Sequence, residues 1–246
     1  MGVRLRVIDI ETTGEAPPAE IIEFGRVDVV LAGDAWVVER PMAPLYRPLG
    51  AIPPETMAVH HITAADFMPA IPVCTPERLR QAIHGGEPAD VLVAHNCAFE
   101  RLFLEAVLPA SLPWICTYKV ALHVWPGAPR HSNQVLRYWR DLKLDPALAM
   151  PPHRAGPDAY VTAHLLAELL GAASVEQMVQ WTGEPKRLPT LPFGKHRGLP
   201  WPEVPLDYLQ WMVRQTDMDA DAIWCAQQEV ARRETASGRP AVKADA

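Results

Sequence analysis

The stretch Val7-Ile8-Asp9-Ile10-Glu11-Thr12-Thr13-Gly14 sets two carboxylates two positions apart in an apolar strand. Strand alternation puts Asp9 and Glu11 on one face. Two like charges on one face repel and resist burial unless a cation or a shared proton lies between them. The triplet alone therefore admits two readings, a metal site and a solvated strand end. Gly14 closes the strand in a turn where the backbone can approach a ligand.

The chain around this strand reads as an α/β protein. Strands are predicted over 19–32 and 35–47, with Gly33-Asp34 between them as a hairpin signal. Helices follow at 53–61 and 76–84, the second closed by Gly85-Gly86. Val91-Leu92-Val93-Ala94-His95 is a continuous apolar run, as expected of a strand buried on both faces, and it passes directly into a helical pattern. Glu100 lies one turn into that helix, where a central parallel strand ends and ligands of open α/β sheets bind. Further helices are expected at 117–124, at 132–140 with Ser132 as N-cap, and from Pro157 through Leu170. The last of these carries Asp158 in its first turn, and His153 precedes it in a loop.

Composition shifts after Gly171, with Pro185, Pro189, Pro192, Pro200, Pro202 and Pro205 marking the entry to a second domain. Domains are expected at 1–173 and 174–236, with a loose tail at 237–246. In the second, Phe193-Gly194-Lys195-His196-Arg197-Gly198 is a glycine-bracketed basic turn followed by two helices, and Trp201, Tyr208 and Trp211 are expected to form its small core. Lys195, His196 and Arg197 are candidates for nucleic-acid contact, with a solvated turn as the alternative.

A net charge of −6 argues against a protein that coats nucleic acid by bulk attraction, although metal ligands account for part of that charge. Cys74, Cys97, Cys116 and Cys225 are widely spaced without a C-x-x-C, as expected of reduced thiols. No apolar run reaches the length of a membrane span, and Met1 to Arg6 lead directly into a strand. A cytoplasmic protein with no membrane partner is expected.

Three segments together resemble the DEDDh family of 3′-to-5′ exonucleases: Ile8-Asp9-Ile10-Glu11-Thr12-Thr13-Gly14, Ala94-His95-Asn96-Cys97-Ala98-Phe99-Glu100, and His153-Arg154-Ala155-Gly156-Pro157-Asp158-Ala159. Ile52-Pro53-Pro54-Glu55 and Val59-His60-His61-Ile62-Thr63 are secondary marks of the same family. Likeness to its exodeoxyribonuclease X branch extends to Trp114-Ile115-Cys116-Thr117, to Trp125-Pro126-Gly127 and to the basic turn, and so covers nearly the whole chain.

The resemblance implies a ribonuclease-H-like fold, a central mixed five-stranded sheet flanked by helices, with a small C-terminal α+β domain. It implies hydrolysis of phosphodiesters at DNA 3′ ends, single-stranded or frayed, with release of nucleoside monophosphates in DNA repair. Two divalent ions, Mg²⁺ or Mn²⁺, would be held by Asp9, Glu11, Glu100 and Asp158, with His153 as the base that deprotonates water. Thr12, Thr13, Gly14, Met57, His60, Asn96 and Phe99 would frame the terminal nucleotide. The chain departs from the family at Glu100, where the pattern has Asp. Two alternatives follow: an RNA-trimming exonuclease, and a non-catalytic nucleic-acid-binding relative in which Glu100 has broken the site.

Overall fold

The computed structural model describes residues 2–109 and 111–236, so the expected tail at 237–246 lies outside the described residues. The chain divides into two compact units, Met1–Thr182 and Gly183–Ala246.

The first unit is built on a five-stranded sheet of order β3-β2-β1-β4-β5, formed by β1 (Arg4–Thr12), β2 (Ile21–Ala32), β3 (Ala35–Val38), β4 (Val91–Ala94) and β5 (Trp114–Cys116). β1 pairs antiparallel with β2 and parallel with β4, so the sheet is mixed and the acid-bearing strand is central. The helices are α1 (Pro54–His60), α2 (Pro76–His84), α3 (Ala98–Leu104), α4 (Thr117–Val124), α5 (Asn133–Trp139), α6 (Pro146–Ala149), α7 (Ala155–Leu169) and α8 (Val175–Gly183).

Alternation along β1 gives the sheet two different faces. Leu5 and Val7 join Val27, Val29, Val161, Leu165 and Leu169 in one core, under α7. Ile8 and Ile10 join Phe24, Leu79, Ile83 and Leu104 in the other. Arg6 falls on the second face and is fully buried, bonded to both oxygens of Asp28 at 2.7 Å and to the Ile83 carbonyl. Burial alone would raise the Asp28 pKa, but hydrogen bonds from Arg6 and Arg26 outweigh it and hold the carboxyl at about 2.

Four expectations need correction. β3 ends at Val38 rather than continuing to residue 47, because Pro41 and Pro44 cannot donate to a ladder; the chain returns to β2 through isolated bridges at Met42 and Leu45. β5 was not expected as a strand. Ser132 occupies the N-cap of α5, yet its side chain makes no capping bond. α8 belongs with the first unit: Met178 lies in the α7-side core, and Thr182 Oγ1 accepts the Cys116 amide at 2.8 Å.

The second unit contains α9 (Leu206–Val213) and α10 (Ala220–Ala236) around Leu191, Trp201, Val204, Leu209, Met212, Ala222, Cys225 and Ala226. Among the described residues its β content is one bridge, Thr190 to Pro200, at the base of the basic turn.

Candidate active site

In the β1–β2 pairing Asp9 stands opposite Gly25 and Glu11 opposite Glu23, so acids and glycine share the face on which α7 lies. Gly25 is what lets α7 in. A Cβ there would sit 1.9 Å from the Ala155 carbonyl oxygen, so the helix begins in backbone contact with the sheet. Asp158, in the first turn of α7, is thereby brought down to the strand. Ligand oxygens of Asp9, Glu11 and Asp158 all lie within 4.8 Å of one another.

Glu23 secures this arrangement. It is 2% exposed, accepts from Arg154 Nε and Nη2 at 2.9 and 2.6 Å, and accepts the Ala155 amide at 2.9 Å. One carboxylate thus satisfies an orphan donor of the α7 N-terminus and pins the residue that follows His153. His153 itself is exposed, adopts φ 58°, and donates its backbone amide to Asp158 Oδ2 at 2.7 Å. The other oxygen of Asp158 accepts from Gln134 Nε2 at 3.1 Å, and Gln134 is held in turn by Arg137 at 3.2 Å. α5 therefore orients Asp158 from behind. Sequence patterns single out none of Glu23, Arg154, Gln134 or Arg137.

Glu100 is 3% exposed in α3, and its Oε2 has no hydrogen-bond partner. It stands apart from the three-carboxylate cluster but near enough that its charge, after burial, most strongly opposes ionisation of Asp9. Burial together with Glu100, Glu11 and Asp158 pushes Asp9 well above the usual carboxylate range. Burial, then Asp158 and Glu23, raises Glu11 to about 8, against the pull of Arg154. Burial raises Glu100 to about 8, with Cys116 and Glu11 adding to it. Asp158 is raised by burial, while the His153 amide and Gln134 act in the other direction. Three acids whose ionisation is opposed by burial and by neighbouring carboxylates, one of them with an orphaned oxygen, form with Asp158 a donor set suited to hard divalent cations.

The remaining predicted residues divide. The Thr12 hydroxyl donates to the Gly14 carbonyl at 2.6 Å and Thr13 ties the turn to Glu20 at 2.9 Å, so both shape the turn beside the acids. His60 is buried, its Nδ1 accepting the Ile62 amide at 2.9 Å, and burial lowers its pKa. Met57 is half-buried, and Asn96 is exposed with φ 70° at the β4–α3 junction. Phe99 is half-buried against Phe103, centroids 5.2 Å apart, and packs on the second-face core. His95 braces the junction, bonded to Thr117 at 3.0 Å and the His131 carbonyl at 2.8 Å. Lys195, His196 and Arg197 lie in the second unit.

The exonuclease family of RNase T type matches residues 7–166. Exodeoxyribonuclease 10 of Escherichia coli K12 is 35% identical over 218 residues, 87% of this chain and 92% of the relative. A structure of Exonuclease X in complex with 5′ overhanging duplex DNA superposes with a TM-score of 0.57 at 36% identity, covering 73% of this chain and 99% of that one. The nuclease domain of 3′hExo, a DEDDh family member bound to rAMP, shares the fold, with a TM-score of 0.53 at 20% identity over 70% of this chain and 94% of its own. By its sequence match and the sheet it is built on, this chain belongs to the exonuclease family.

Proposed function

We propose that this protein hydrolyses phosphodiesters at DNA 3′ ends, in the 3′-to-5′ direction, with two divalent ions, Mg²⁺ or Mn²⁺, and releases nucleoside monophosphates. One observation carries the reading: Asp9, Glu11 and Asp158 converge within 4.8 Å on a sheet face beside the loop that bears His153.

Asp9, Glu11 and Asp158 would hold the metal, with Glu100 completing the donor set directly or through a water. Bound there, divalent ions acidify the attacking water and neutralise charge on the phosphoryl oxygens. His153 takes the proton from that water. Its exposure and loop position let the imidazole reach a substrate already seated against the strand. Gln134 and the His153 amide orient Asp158 and, because both hydrogen bonds favour the charged form, oppose the effect of its burial. Thr12, Thr13, Gly14, Met57, His60, Asn96 and Phe99 would frame the terminal nucleotide.

Labelled DNA and RNA oligomers incubated with Mg²⁺ or Mn²⁺ test the proposal, with Asp9→Asn as control. Stepwise loss from the 3′ end of DNA is expected. Faster trimming of RNA would favour the ribonuclease reading, and binding without cleavage under either metal would favour a non-catalytic relative.

Glu100 is the residue on which catalysis and mere binding separate. Its unpaired buried oxygen fits a role toward metal, so Glu100→Gln is expected to lower kcat about tenfold to a hundredfold and to raise the Mn²⁺ concentration for half-maximal rate. Full activity in that variant would remove Glu100 from the site. The Glu23–Arg154 clamp acts through position rather than contact with substrate. Arg154→Met should reduce kcat about tenfold with KM nearly unchanged, and Arg154→Lys, which keeps the charge but loses the two-pronged bond, should recover only part of the loss. A rise in KM alone would instead assign Arg154 to substrate binding.

A further inference from the structure

The second unit carries an aromatic and basic surface made of residues outside the carboxylate cluster. Trp211 is 42% exposed and faces Tyr208 one turn back on α9, ring centroids 5.2 Å apart at 43°. Tyr208 is the hub of this surface. Lys195 Nζ lies over its ring at 5.5 Å, and His196 meets it edge-on at 4.8 Å. The basic turn is pressed onto the same tyrosine: Gly194 has φ 73°, and a Cβ there would come within 2.4 Å of the Tyr208 hydroxyl. The turn is closed by Leu191 N to Leu199 O at 2.9 Å and Gly198 N to Leu191 O at 2.8 Å. Its conformation is therefore built into the unit. Lys195 and Arg197 are both exposed, and among the described residues neither has an acidic partner.

An exposed tryptophan on a helix whose opposite side supplies the core costs hydration for no packing gain within the unit. Linked through Tyr208 to Lys195, with Arg197 exposed on the same turn, it matches a ligand that alternates flat apolar rings with negative charge. Single-stranded nucleic acid has that chemistry: bases stack on aromatic side chains and phosphates meet Lys and Arg. A protein partner or a phospholipid surface would use the charge or the ring, but neither calls for the two together.

We propose that Tyr208 and Trp211, flanked by Lys195 and Arg197, form a single-strand nucleic-acid binding surface on the second unit, distinct from the carboxylate site. As the partner of an exonuclease this strand is the substrate's own, so the proposal rests on the functional reading above, but its test does not depend on cleavage.

The test uses the full chain carrying Asp9→Asn, without added metal, titrated with fluorescein-labelled 20-nucleotide oligo(dT) and, separately, with heparin as a polyanion lacking bases. Trp211→Ala is expected to weaken oligo(dT) binding about tenfold and leave heparin binding unchanged, since one base–aromatic stack is lost. Lys195→Ala with Arg197→Ala should weaken both ligands and lower the slope of log K against log salt by about 1.4 for the oligonucleotide, the value for two phosphate contacts. Unchanged oligo(dT) affinity in Trp211→Ala, or equal losses for oligo(dT) and heparin, would overturn the stacking surface. Cleavage by the parent chain with Asp9 intact, measured in parallel on the labelled oligonucleotide with Mn²⁺, reports on the functional reading separately. If that chain cleaves while the binding prediction fails, the surface is wrong and the exonuclease reading stands; if it does not cleave, the functional reading falls by itself.

Discussion

The Asp9→Asn variant is expected to lose 3′-end cleavage by at least about a thousandfold and, in the same protein, to gain thermal stability when metal is absent. The first effect follows from position. Asp9 is the cluster carboxylate that Glu100, Glu11 and Asp158 all act upon, so its loss removes the shared ligand, and several kcal/mol of metal-borne transition-state stabilisation correspond to about three decades or more of rate. The second effect follows from linkage. Glu11 and Glu100 have folded pKa values of about 8, against 4.5 for the free side chain. The folded state therefore binds more protons than the unfolded state between those values, and stability falls as pH rises through that window. Metal-free wild-type protein should show a melting temperature that declines from pH 5 to pH 8. Divalent metal should flatten or reverse the decline. Asp9→Asn deletes one of the repelling charges and should melt higher than wild type at pH 8 without metal, while responding less to added Mn²⁺. Calorimetry at three pH values with and without Mn²⁺ checks both halves, and a melting temperature that rises with pH in the metal-free wild type would contradict the electrostatic account of the site.

Gly25→Ala should be among the most damaging single substitutions in the first unit, although it adds one methyl group and touches no acid. The added Cβ would lie 1.9 Å from the Ala155 oxygen and 2.9 Å from the Gly156 amide, and both are backbone atoms that cannot rotate away. α7 would have to lift from β2, at a cost of about 3 kcal/mol or more. The Glu23 bonds to Arg154 and Ala155 would stretch with it, and Asp158 would leave Asp9 and Glu11. We expect a lower urea midpoint and, in the fraction that remains folded, Mn²⁺ binding weakened by more than tenfold. Gly127→Ala is the matched control: nothing lies within 4 Å of its added Cβ, and it should change stability by less than about 0.5 kcal/mol.

The parts of this site that a sequence shows are those written in short-range period. Asp9 and Glu11 share a face because strands alternate, and Asp158 lies in the first helical turn five residues after His153. What supports them is written at long range. Glu23 sits among Ile21, Ile22 and Phe24 and reads as one more polar position, while the guanidinium that explains it comes 131 residues later. Gln134 looks like an ordinary surface amide until α5 and α7 pack. β5 spans three residues between Pro113 and α4, too few for a period to register. Trp211 was expected in the small core because it is large and apolar. Helical spacing instead groups it with Tyr208, while Leu209 and Met212 fill the interior.

The Thr182 contacts bear on where this chain can be cut. Its hydroxyl accepts the Cys116 amide and donates to the Met178 carbonyl, both at 2.8 Å, and its carbonyl accepts Lys119 Nζ at 2.9 Å. One threonine thus fastens the end of α8 to the point where β5 turns into α4. A nuclease shortened to residue 173 would expose the Cys116 amide and strip Met178 from the core, whereas one ending just after Thr182 keeps the sheet edge sealed. Minimal catalytic fragments of this protein should therefore be sought by trimming back to Thr182, with the final helix of the first unit treated as its clasp rather than as a linker.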